Sequence, residues 1–303
     1  MDRRTFVKRS IGATAMAGTY LSFGSFSSLF AGPASPYDLV AIKGGEPGAM
    51  FDKGIEALGG MSAFVKKGQK VVIKPNIGWD TPVDRAANTN PQLVARIIQH
   101  CLNAGAKEVY VLDHTCNEWQ KCYRNSGIET AAKNAGAKVA PANSENYFHE
   151  ITIPNGKNLK KAKEHELILS ADVFIDVPVL KNHGGSKITG AMKNLMGCVW
   201  DREEWHRNDL HQCIADFATY RRPTLNVMDA YNVMKQNGPR GVSVSDVVLM
   251  RAQLISPDIV AVDAAGTKLW GMNPDDIRHI CIAADAKLGR KDLDKLNIKR
   301  ITV

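Results

Sequence analysis

The sequence is poor in cysteine: six in 303 residues, with no Cys-x-x-Cys pair. That excludes ferredoxin-type iron–sulfur clusters and zinc ribbons, and it is too few for a disulfide framework. The zincin pattern His-Glu-x-x-His is missing, as are the phosphate loop Gly-x4-Gly-Lys-Ser/Thr and the dinucleotide fingerprint Gly-x-Gly-x-x-Gly. The uncharged run Ser10–Phe30 holds Thr14, Thr19, Ser22, Ser25, Ser27 and Ser28, which makes it too polar for a good membrane span. No internal repeat, low-complexity tract or long linker interrupts the chain. Basic residues, by contrast, are in excess: 39 Lys and Arg face 31 Asp and Glu, a formal net charge of +8. Such an excess draws nucleic acid, anionic lipid or a small anion.

Part of that charge belongs to an address label. Arg3-Arg4-Thr5-Phe6-Val7-Lys8 opens a basic segment, the uncharged run follows, and Ala31, Gly32 and Ala34 form a small-residue cleavage zone near residues 31–35. Residues 1–34 therefore read as a twin-arginine signal peptide. The expected partner is the twin-arginine export machinery, the expected location periplasmic or otherwise extracytoplasmic, and no stable transmembrane segment is expected after cleavage. Without these residues the net charge falls from +8 to +5. With no nucleic-acid motif either, a nucleic-acid partner is not expected, which leaves a small anionic molecule.

From residue 35 onward, short apolar runs alternate with amphipathic stretches. Strands are expected at 70–74, 108–112, from 136, at 171–177 and at 224–228. Helices are expected at 91–104, capped by Asn90 with Pro91 in the first turn, and at 127–134, 258–270 and 274–285. This alternation predicts an α/β fold, a mainly parallel sheet flanked by helices. Residues 35–303 are expected to form a single unit, with a possible lobe boundary at 143–165, where a polar stretch and the basic run Lys157–Lys163 break the pattern.

Polar clusters follow four of these strands: Lys74-Pro75-Asn76, Asp113-His114-Thr115-Cys116, Lys181-Asn182-His183, and Asp229. In open α/β sheets ligands bind beyond the carboxyl ends of parallel strands, so the four clusters are expected at one rim. The segment 178–206 is the densest, with Lys181, His183, Lys187, Lys193 and His206 among four glycines. Lysine supplies positive charge and glycine lets backbone N–H groups approach closely, a chemistry suited to carboxylate or phosphate. Candidate catalytic residues are thus His114, His183, Lys187 and Asp113. Candidate substrate-binding residues are Lys74, Asn76, Lys181, Lys193, Asn194 and Asp229. A divalent metal, if held, would draw on His114, His183, His206, Cys116 or Cys198.

The strings Lys74-Pro75-Asn76, Thr89-Asn90-Pro91, Leu180-Lys181-Asn182-His183 and Thr189-Gly190-Ala191-Met192-Lys193-Asn194-Leu195-Met196-Gly197 together resemble domain-of-unknown-function family 362. Met228-Asp229-Ala230 and Ser256-Pro257-Asp258 continue the resemblance, which covers about residues 37–285. It implies an α/β fold and no single activity. A looser likeness joins Gly184-Gly185-Ser186-Lys187 and His206 to the nickel-pincer lactate racemases, although Asn76 and Asp80 stand where that family has an aspartate–arginine loop. The expected function is an exported enzyme acting on a small anionic substrate or cofactor. The alternatives are a non-catalytic anion or cofactor carrier, and a metal-dependent redox protein without a ferredoxin-type cluster.

Overall fold

The computed structural model describes residues 35–303. The expected signal peptide lies outside the described residues. Twelve strands are present among them: β1 Leu39–Lys43, β2 Lys70–Pro75, β3 Glu108–Val111, β4 Lys138–Val139, β5 Phe148–Thr152, β6 Lys161–His165, β7 Val173–Val177, β8 Val179–His183, β9 Lys187–Thr189, β10 Leu225–Met234, β11 Val247–Ser256 and β12 Ile298–Thr302. The helices are α1 Pro47–Ala57, α2 Pro91–Asn103, α3 Trp119–Asn125, α4 Ile128–Asn134, α5 Glu166–Leu169, α6 Ala191–Asn194, α7 Arg202–Arg207, α8 Leu210–Tyr220, α9 Ile259–Trp270 and α10 Arg278–Asp285. None is long and apolar enough to cross a membrane.

The main sheet runs β12-β1-β11-β10-β7-β2-β3-β4, and β8 pairs with β10 and β9. Strands β10, β7, β2, β3 and β4 are mutually parallel, which is the mainly parallel α/β architecture expected. Strand β11 runs antiparallel to both β10 and β1. Alternation along β2 shows why both faces are covered. Val71 and Ile73 pack on one side with Phe51 and Ile55 of α1 and Leu93 and Ile97 of α2. Val72 packs on the other with Phe217 of α8 and Val260 of α9. A parallel sheet needs such two-sided cover, and its strands accordingly read as continuous apolar runs.

Local chemistry sets the element ends. Asn90 accepts from the Gln92 N–H at 2.9 Å and Pro91 stands in the first turn, as the sequence predicts. The stretch expected as one helix over 274–285 is instead a 3-10 turn, Pro274–Asp276, followed by α10. Ile277 between them is extended and fully buried, so core packing pulls it out of helical geometry. Residues 143–165 carry the β5–β6 hairpin, whose Ile151 joins the same apolar cluster as Val72.

Candidate functional site

Parallel alignment brings the carboxyl ends of β2, β3 and β7 to one rim, and a cavity of about 400 Å³ opens there. Its walls include Lys74, Asn76, Asp113, His114, Cys116, Lys181, His183, Lys193, Asn194 and His206, all singled out from the sequence. Thr189 and Arg202 also line it.

The floor is a buried ion pair. Lys74 Nζ lies 2.8 Å from Asp113 Oδ1, and both side chains are almost fully buried. The ammonium also donates to Asn194 Oδ1 at 2.9 Å and to the Pro75 carbonyl at 3.0 Å. Asp113 Oδ2 accepts from the Ile77 N–H at 2.7 Å. A buried pair is tolerable only when its remaining hydrogen-bonding capacity is used in this way. Asn194 ties the floor together: its oxygen also accepts from Asn76 Nδ2 at 2.9 Å, and its amide donates to Asp176 Oδ1 at 2.8 Å. Burial pushes the Asp176 carboxyl well above the usual range, against the pull of Lys74 and the Asn194 amide. Gly197 closes over the pair. A Cβ there would stand 1.8 Å from Asp113 Oδ1 and 2.6 Å from Lys74 Cε.

Above the floor the charge is positive. Lys181 donates to Asn76 Oδ1 at 3.0 Å and to the Ala87 carbonyl, and burial brings it down to about 7. Lys193, half-buried at the end of α6, has no ion pair and no hydrogen bond from its ammonium among the described residues; burial and the neighbouring Arg202 bring it down to about 8. Arg202 donates to the carbonyls of His114 and Thr115.

Two histidines on the walls are held in opposite tautomers. His114 Nδ1 lies 2.9 Å from the Val199 carbonyl. A carbonyl only accepts, so Nδ1 carries the proton and Nε2 keeps a lone pair. The ring stacks on Trp200 with centroids 4.8 Å apart, and burial lowers its pKa. His183 Nδ1 accepts from the Gly185 and Ser186 N–H groups, both at 3.1 Å, which puts its proton on Nε2. Burial, with Lys193 close by, brings His183 down to about 3, so it stays a neutral donor.

Three expected residues fall elsewhere. Lys187 is exposed and donates to the Asp276 carbonyl at 3.0 Å, outside the cavity. It is the direct cross-strand partner of His183 in the β8–β9 pairing and has a left-handed φ of +65°. Asp229 does not follow a strand end, because β10 continues to Met234; its buried carboxylate accepts from the Asn90 N–H at 2.7 Å and the Tyr231 N–H at 3.0 Å. Cys198 is buried near Lys74, its thiol pushed well up by desolvation, whereas Cys116 stays exposed on the cavity wall. All six cysteines are free thiols. Among the described residues no three His, Cys, Asp or Glu side chains are gathered to hold a metal ion. Of the two residues likened to the nickel-pincer racemases, His206 lines the cavity and Lys187 does not.

Sequence reasoning missed Asp176, Thr189 and Arg202. Asp176 left a readable signal, an acid inside the apolar strand Val173–Val177, since a buried carboxylate needs a partner.

The family model described as Domain of unknown function (DUF362) matches residues 71–268, a span that carries every cavity-lining residue named above. The chain belongs to the DUF362 family. A thylakoid-associated protein of Synechocystis is 28% identical over 243 residues, covering 78% of this chain and 73% of that protein. Two solved structures match at low identity. The lactate racemase apoprotein of Thermoanaerobacterium thermosaccharolyticum matches with a TM-score of 0.42 at 14% identity over 78% of this chain. A Thermotoga maritima structural-genomics protein matches with a TM-score of 0.45 at 10% identity over 80% of it. The DUF362 chain spans 58% and 60% of those two proteins.

Proposed function

We propose that the rim cavity binds a small anionic compound and moves a proton on it, making this DUF362 protein an enzyme of acid–base chemistry. One observation carries the reading: Lys181, Lys193 and Arg202 line the cavity with no carboxylate partner among the described residues. Uncompensated charge of this kind in a recessed site favours an anion strongly, because the low local dielectric raises the energy of leaving it unpaired. The histidines supply the proton chemistry. His114 Nε2 accepts a proton from the bound compound, and His183 Nε2–H donates a hydrogen bond to charge developing on it. The Lys74–Asp113 pair takes no part in proton movement; it fixes the loops after β2 and β3.

The test is native mass spectrometry of the protein isolated from its own host, alongside the Lys193→Gln variant. Wild type is expected to retain a small anion that the variant loses. If both are ligand-free, and carboxylates and phosphate leave the melting temperature of wild type unchanged, the reading is wrong. His114→Asn is expected to keep the bound anion while lowering turnover about 100-fold or more, the usual scale for losing a general base.

We also propose action outside the cytoplasm, supported by the twin-arginine pattern Arg3-Arg4 and in keeping with the thylakoid-associated relative. Replacing Arg3 and Arg4 together by lysine is expected to trap the protein in the cytoplasm. Unchanged fractionation would remove the proposal.

A further inference from the structure

The turn between β8 and β9 is held from outside the cavity. His183 and Lys187 are direct cross-strand partners, and Gly184, Gly185 and Ser186 form the loop between them. This loop supplies both N–H groups that meet His183 Nδ1, each at 3.1 Å.

Two helices set the position of that loop. Gly185 lies against Leu210, the first residue of α8: a Cβ there would stand 3.1 Å from Leu210 Cδ2 and 3.5 Å from His183 Cε1. Lys187 Nζ donates at 3.0 Å to the Asp276 carbonyl, in the 3-10 turn that leads into α10. The two helices are tied to each other where they begin. His211 Nδ1 and His279 Nδ1 share a hydrogen bond at 3.1 Å, with their rings stacked and centroids 5.3 Å apart. Beside them Arg278 donates to both oxygens of Asp209, at 2.8 and 2.6 Å.

A neutral imidazole carries its proton on either nitrogen, and the hydrogen bond made by one nitrogen decides the state of the other. Two N–H groups converging on Nδ1 exclude a proton there. A small displacement of the loop weakens both contacts, because hydrogen bonds fall off steeply with distance and angle.

We propose that Lys187, His211 and His279 are positioning residues that seat the β8–β9 turn against His183 and so fix the proton of its neutral ring on Nε2. The inference rests on the role given to His183 above and adds what keeps the ring in that state. It also gives Lys187 a part to play from outside the cavity. Burial is the main reason that His183 resists protonation, and the groups that face it are Lys193, His206, Lys181 and His211. Lys187→Met removes none of these.

The test is a long-range proton–nitrogen spectrum of the ligand-free protein carrying 15N-histidine, with His183 assigned by its absence from His183→Gln. Wild type is expected to show a bare Nδ1 and a protonated Nε2, with no titration of this ring between pH 5 and 8. Lys187→Met and His211→Phe, both checked for unchanged melting, are each expected to mix in the other tautomer. Each is also expected to raise the His183 titration midpoint by about one pH unit or more, toward the ordinary value of about 6.5. Lys187 is exposed, so its variant carries the test alone if His211→Phe does not fold. A wild-type ring with the proton on Nδ1, or variants whose His183 signals match wild type, overturns the inference. Either result leaves the anion reading standing, since that reading is decided by the retained ligand.

Discussion

Gly197 sets the tightest constraint in the site. The Lys74–Asp113 pair occupies the space where any other residue would place its Cβ, and the Gly197 carbonyl accepts the His114 N–H at 3.0 Å. Gly197→Ala is therefore expected to cost about 1–3 kcal/mol of stability, the usual price of overpacking, measurable by urea unfolding. An unchanged midpoint would mean that the loop relaxes freely. The residues singled out from the sequence that line the cavity follow the buried strands β2 and β3, or lie along the segment after β7, where an abrupt change from apolar to charged marks the rim. Those that lie outside the cavity do so for physical reasons. Lys187 has the right residue type and stands opposite His183 in the β8–β9 pairing, but it is exposed and donates to the Asp276 carbonyl, and no pattern in Gly184-Gly185-Ser186-Lys187 reveals that partner.

At the scale of elements, the site depends on a single turn of helix. Helix α6 is too short to be stable alone, and α9 holds it: Asp263 accepts from the N–H groups of Ala191 and Met192. Gly190 permits this approach, since a Cβ there would lie 2.3 Å from Asp263 Oδ1. Asp263→Ala orphans two buried donors, with an expected cost of about 1–3 kcal/mol in thermal or urea unfolding and weakened anion binding through Lys193. Binding identical to wild type would show that α6 holds itself. The elements that carry the core, β2, α2, β3, β7 and α9, were readable because their apolar spacing is undisturbed. The β8–β9 hairpin was not, because its positions are taken by Lys181, Asn182 and His183, and functional residues overwrite the alternation that announces a strand. Strand β11 was hidden for a different reason: its first half, Val247–Arg251, is largely exposed and lacks a clean period.

The whole molecule answers pH through its lysines. Burial lowers Lys181 to about 7 and Lys193 to about 8, each from an ordinary 10.5. Both are charged below those values and neutral above them. Anion affinity is therefore expected to be full on the acid side and to fall as pH rises through about 7 to 8, a loss that Lys193→Gln makes shallower. Affinity flat from pH 6 to 9 would show that the ammonium groups do not hold the ligand. The order of synthesis also bears on the site. Lys74 meets Asn194, a residue made 120 positions later. At ordinary ribosomal speed that interval is roughly 6 to 24 s, during which the future floor of the cavity lacks its central amide. A chain released before residue 191 would own most of its parallel strands but lack Lys193, Asn194 and Arg202 of the cavity. The cavity floor is therefore complete only once the segment after β9 has been made.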